Sequence, residues 1–170
     1  MTYRLSRSVV ALLLLSVVVT GCGSAPETPP VPSISDAHDA RGADPCALVS
    51  PEQLAAVGLG GTAEPGTAEA GPRCRWRSAG GDLEVTLYTD GGGLATLAEN
   101  SEPTTTRVRL AGYPALETFT GRGEFCQYDV GVAERQVISA ALDAPRPGSC
   151  DVLQQVVPTL VDTLPAGGGR

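Results

Sequence analysis

Lysine is absent from this 170-residue chain, and histidine, tryptophan and methionine occur once each. The basic residues are 12 arginines, set against 19 carboxylates for a net charge of −7. Nucleic-acid binding rests on a broad basic footprint that neutralises phosphates, so no nucleic-acid partner is expected. Aromatic residues make up only 4%, too few for the stacking platforms that hold single strands. The one histidine, His38, has no second imidazole to share a zinc ion, and no Cys-x-x-Cys pair replaces it. There is no Gly-x-x-x-x-Gly-Lys phosphate loop, and Gly91-Gly92-Gly93 lies outside any dinucleotide-binding pattern and reads as a turn. No apolar run approaches the ~20 residues of a spanning helix. No cofactor or metal is expected, nor an enzyme.

What is present begins at the N-terminus. Arg4 and Arg7 precede an apolar run of 11 residues at 9–19, broken only by Ser16. That is the length of a secretory h-region. Val19-Thr20-Gly21-Cys22 follows it and resembles a bacterial lipobox: a branched apolar residue, two small residues, then cysteine. The expectation is a signal peptide at 1–21 and acylation of Cys22, the alternative being an ordinary secretory signal with Cys22 incidental. Two or three acyl chains, at ~0.8 kcal/mol per buried methylene, anchor stably where a single chain binds marginally. The expected location is the cell membrane, lipid-anchored on its extracytoplasmic side, with the bilayer as a partner. Processing would move the charge from −7 to −9, because Arg4 and Arg7 leave with no carboxylate. The acyl chains would therefore anchor without help from charge.

Residues 22–43 hold Pro26, Pro29, Pro30 and Pro32 among small and polar residues, a composition that predicts an extended, disordered tether. His38 falls within it. A histidine on a tether cannot stay within hydrogen-bond reach of a nucleophile, which argues against Ser-His-Asp and Cys-His catalysis. The remaining cysteines, Cys46, Cys74, Cys126 and Cys150, are even in number and belong to an exported domain, so they read as two disulfides. Three pairings are possible. The sequential one, Cys46–Cys74 with Cys126–Cys150, is favoured, and each bridge would contribute about 3 kcal/mol in the chain-entropy model.

Residues 44–165 read as one α+β domain, a largely antiparallel sheet with helices packed on one face and two disulfides, followed by a disordered tail at 166–170. Ser50-Pro51-Glu52-Gln53 is a capping box with proline at the first helical position, predicting a short helix at 51–57. Residues 60–72 show no periodicity and read as a loop. At 73–88, taking Gly80-Gly81 as a two-residue turn pairs Arg77 with Glu84 and Trp76 with Val85. Cys74, Trp76, Leu83, Val85 and Leu87 then share one face, and Arg75, Arg77, Glu84 and Thr86 the other. A short helix follows near Leu94, then strands at 106–110, 115–120, 125–132 and 135–142. The opposite parity of Leu116 and Phe119 suggests a bulge. The closing helix from Ser149 carries a stripe of Leu153, Val157, Leu160, Val161 and Leu164, with Pro158 expected to kink or divide it.

Asp44-Pro45-Cys46-Ala47-Leu48 ahead of that capping box, Cys74-Arg75-Trp76, Gly112-Tyr113-Pro114-Ala115, Cys126-Gln127-Tyr128, and Cys150 opening a last helix that ends in Leu164-Pro165 resemble the DUF3558 family. These are actinobacterial lipoproteins with the same lipobox, tether and four-cysteine layout. The resemblance spans about 44–165. It supports the sequential disulfide pairing and an envelope location, and it assigns no functional residue.

The outward residues offer one candidate surface. Arg73, Arg75 and Arg77 alternate on one strand, and Arg107 and Arg109 on another. If those strands are neighbours, five guanidiniums share a face that suits carboxylates or phosphates. The plainer reading is a solvated face whose arginines pair with Glu84, Glu117 and similar residues. Three functions follow. The first is a membrane-anchored, non-catalytic binding module for an envelope ligand or protein partner. The second is an accessory or sensory subunit of a membrane signalling or transport complex. The third is a glycan hydrolase built on carboxylates such as Glu84, Glu117, Glu124 and Asp129, which would need two of them ~5–10 Å apart across a cleft.

Overall fold

Seven strands and three helices make up the domain in a computed structural model, which describes residues 33–167. The expected signal peptide, Cys22, the first part of the expected tether and the last three residues of the expected tail lie outside the described residues. The strands are β1 (Ala63–Ala68), β2 (Gly71–Ser78), β3 (Gly81–Tyr88), β4 (Thr105–Leu110), β5 (Tyr113–Thr120), β6 (Phe125–Ala133) and β7 (Gln136–Asp143). The helices are α1 (Pro51–Ala56), α2 (Gly93–Glu99) and α3 (Ser149–Thr163), with one 3₁₀ turn at Pro45–Ala47. All neighbours are antiparallel in the order β1-β2-β3-β7-β6-β5-β4. Two meanders, β1–β3 and β4–β7, are thus sewn together between β3 and β7.

Strand alternation puts Cys74, Trp76, Leu83, Val85, Leu87, Tyr128, Val130, Val132, Ile138 and Leu142 on one face, all buried. Over them lies the predicted stripe of α3, with Leu153, Val157, Leu160, Val161 and Leu164 each at most 3% exposed. At about 1.5–3 kcal/mol per buried aliphatic side chain, this contact is the domain's main apolar seam. Leu48 and Leu54, from the turn and α1, join the same core. The capping box forms as read: Ser50 Oγ accepts from Gln53 N at 3.3 Å, and Gln53 Oε1 accepts from Ser50 N at 2.7 Å.

The cysteines pair sequentially, Cys46 with Cys74 and Cys126 with Cys150. The first bridge ties the 3₁₀ turn to β2. The second ties the start of α3 to β6, where the N–H groups of Gly148 and Ser149 also donate to Gly123 O at 3.0 and 3.2 Å.

Six expectations need correction. First, β1 is a strand where a loop was expected: it is an edge strand with an exposed centre, so no alternation betrays it. Second, the β2–β3 turn is Ala79-Gly80, so Arg75 faces Glu84 and Arg77 faces Asp82. Ser78 Oγ closes this turn by accepting from Gly80 N and donating to Gly81 O. Each residue's partner moves by two, which preserves the faces. Third, helices do not keep to one face. Leu94 of α2 packs with Leu116 and Val137 on the side opposite α3. Gly131 lacks the Cβ that would come within 3.2 Å of Leu94, which lets α2 lie close. Fourth, β5 is unbroken. Leu116 and Phe119 have opposite parity because each faces a different side, and the irregularity falls in β6 at Gly131/Ala133. Fifth, Pro158 does not divide α3, which runs from Ser149 to Thr163 as one helix; the ring is only half-buried. Sixth, the tether's described end and the tail's start are docked. His38 bridges Ala166, its N–H donates to Val132 O at 2.8 Å, and Asp39 N donates to Pro165 O at 2.8 Å. Main-chain bonding of this kind leaves little trace in composition.

Candidate binding face

The side of the sheet away from α3 carries the charged residues. Arg73, Arg75 and Arg77 project from β2 and meet carboxylates at once. Arg73 donates to Glu84 at 3.3 Å, Arg75 donates to the same carboxylate, and Arg77 reaches Glu64 and Asp82. Trp76 is 3% exposed while the Arg77 side chain is 51% exposed, so the face assignment holds. The β2 arginines therefore have the plain, ion-paired character. Glu64 could not be foreseen as a partner, because β1 carries no strand signal.

Arg107 and Arg109 sit on the same face but on β4. Four strands separate β4 from β2, so at ~4.8 Å per strand the two sets lie about 24 Å apart. A single five-arginine patch does not form. Arg109 donates to the Gly112 carbonyl, a neutral acceptor, so its charge meets no carboxylate among the described residues. Beside these two arginines opens a cleft of about 260 Å³, lined by Leu94, Val108, Pro114, Ala115 and Leu116. Its apolar floor comes from α2, which packs on β5, β6 and β7 and brings Leu94 against Leu116. The sequence showed the arginines but not the cleft, which depends on where α2 lands.

The candidate carboxylates do not converge. Glu117 accepts from Tyr128 Oη, whose oxygen also accepts from Gln154 Nε2 at 3.0 Å. Burial and the Glu117 bond push the Tyr128 hydroxyl up to about 12. That network locks β5, β6 and α3 together. Glu84 belongs to the arginines on the other side of the sheet. Asp129 is 7% exposed there and accepts from Gln127 Nε2 at 3.0 Å with both oxygens. Burial raises the Asp129 carboxyl above its usual value, against the lowering effect of bonds from Ser139 and Gln127. Glu124 sits in the β5–β6 turn.

His38 is better placed than a tether would allow. Its Nδ1 lies 3.0 Å from Leu164 O, and its ring meets Tyr113 edge-on at 5.7 Å. These contacts fasten the chain's N-terminal approach to the end of α3. No group of three or more His, Cys, Asp or Glu side chains suited to a metal occurs among the described residues. No helix among them is long and apolar enough to cross a membrane.

The family model described as "Protein of unknown function (DUF3558)" matches residues 17–163. The chain belongs to the DUF3558 family. The match starts within the N-terminal apolar run, takes in Cys22 and ends at the last residue of α3. No curated protein matches the chain. Among solved structures, a protein from Bacteroides thetaiotaomicron VPI-5482, crystallised at 1.50 Å resolution, is similar at a TM-score of 0.40 and 8% identity. The alignment covers 59% of this chain and 42% of that one, so this DUF3558 chain spans about two fifths of that protein's length.

Proposed function

We propose that this protein is a membrane-anchored extracytoplasmic lipoprotein that works as a non-catalytic binding module. The observation that carries the binding reading is the apolar cleft beside Arg107 and Arg109, at a sheet edge where the Arg109 guanidinium meets no carboxylate among the described residues. Cys22 at the end of an h-region supports the anchor, with acyl chains in the bilayer. Two disulfides suit an oxidising compartment. Glu84, Glu117, Glu124 and Asp129 do not face one another across a cleft, so the geometry favours binding over glycan hydrolysis. The accessory-subunit reading gains from one feature, the outer edge of β4 beside the cleft, which pairs with no further strand among the described residues.

The test joins anchoring to cargo. The native chain and Cys22→Ala are expressed in a host that lipidates, labelled with radioactive fatty acid and fractionated. The native chain should carry label and stay with membranes, and the variant should lose both. Mass spectrometry of material co-purified with the native chain should then show a recurrent partner. Equal labelling and retention of both chains would contradict the anchor, and a chain recovered bare under gentle conditions would contradict the module.

A further inference from the structure

The sheet ends at β4, which pairs only with β5 among the described residues. Its outer backbone groups are a ready template for another strand. The segment Thr-Thr-Arg-Val-Arg-Leu contains no proline or glycine, and three of its six residues are β-branched. Arg107 and Arg109 are exposed on the cleft side, whereas Val108 and Leu110 are half-buried against the core on the other.

We propose that β4 receives an extended acidic segment of a protein partner by strand addition. This deepens the binding-module reading and rests on it. A strand laid against β4 sets its side chains directly opposite those of β4, with Cβ atoms ~4.5–5.5 Å apart. Residues beside Arg107 and Arg109 would be Glu or Asp, within reach of ion pairs. Those beside Val108 and Leu110 would be apolar and extend the core edge. The partner segment thus alternates acidic and apolar residues over about six positions. A second copy of β4 is disfavoured, because a two-fold pairing that keeps faces aligned sets arginine opposite arginine. The cleft inboard of the arginines, about 260 Å³ and lined by Leu94, Pro114 and Leu116, lies where a side chain of the incoming segment could enter it.

The experiment uses the oxidised full-length chain in nonionic detergent and two capped, fluorescein-labelled heptapeptides. One alternates Glu and Val, and the other Lys and Val. Fluorescence anisotropy should show the Glu peptide binding at least tenfold more tightly, with affinity falling as salt rises. The variant R107E/R109E, altered only at exposed side chains, should reverse that order. Circular dichroism confirms that it folds, and the single substitution Arg109→Gln should give an intermediate loss. Equal binding of the two peptides, or Glu-peptide binding indifferent to charge reversal, would overturn the proposal. So would concentration-dependent self-association through β4. If the Glu peptide fails while the chain stays on membranes with a recurrent small ligand, strand addition falls and the binding module stands. If the chain carries neither anchor nor cargo, the parent reading falls.

Discussion

The two edges of the sheet meet solvent in different ways. At one end, β1 contains Pro65, which has no N–H to donate, and Gly66 follows it. The same flank is braced by the Arg77–Glu64 ion pair and by the Cys46–Cys74 bridge on the neighbouring strand. At the other end, β4 has neither proline nor glycine, has no disulfide and presents two arginines beside a cleft. Charge on an edge discourages pairing with a like strand, but it leaves the backbone available to a strand of opposite charge. One edge is closed chemically, and the other is selective. Four strands of separation keep the two arginine sets from acting as one surface.

The largest expected effect lies in the bridges. Removing Cys126–Cys150 by paired alanine substitution should cost more than removing Cys46–Cys74, within the 2–5 kcal/mol usual for small secreted domains. The former holds the start of α3, which roofs the core, while the latter serves the short turn and the closed edge. Chemical denaturation of both variants decides it, and the reverse order would mean that the β1 flank carries more of the fold. Next comes the floor beside the open edge. Leu116→Ala should lose about 2–4 kcal/mol through the cavity left under α2, whereas Phe119→Ala, at 47% exposure, should stay within ~0.5 kcal/mol. Similar losses at both positions would show that α2 packs loosely on β5.

A smaller effect depends on pH. Burial raises Asp129 above its ordinary 3.8, so the fold favours the protonated form. The stabilisation is full below the unfolded value and is lost as pH rises through the folded value. Asp129→Asn should therefore raise Tm relative to the native chain at neutral pH, with the gain fading below pH 3.8. Thermal melts across that range check it, and a pH-independent difference would assign the effect to hydrogen bonding. Smallest of all is the closed edge's ion pair. A double-mutant cycle on Arg77 and Glu64, each about half exposed, should return about 0.2–1 kcal/mol. A larger coupling would show that this pair, and not Pro65, closes the edge.

The covered face was legible because Trp76, Val85, Tyr128 and Val130 alternate against polar neighbours, and α3 because its stripe repeats at helical spacing. Both signals come from side-chain burial. Elements held by backbone alone left no such signal: β1 has exposed side chains at its centre, and the segment around His38 docks through main-chain bonds to Val132 and Pro165. The hairpin register slipped by one step at the turn, because two adjacent glycines offered two turn positions and Ser78 Oγ selected one. The site was half legible. Alternation assigned all five arginines to the right face, but strand order, which local pattern does not encode, divided them into two groups.

Site-resolved hydrogen exchange on the oxidised full-length chain, with and without the Glu-Val peptide, tests the central contrast most directly. The account predicts new amide protection confined to β4, residues 105–110, with β1, residues 63–68, unchanged. Protection appearing at β1, or at neither edge under saturating peptide, would contradict it.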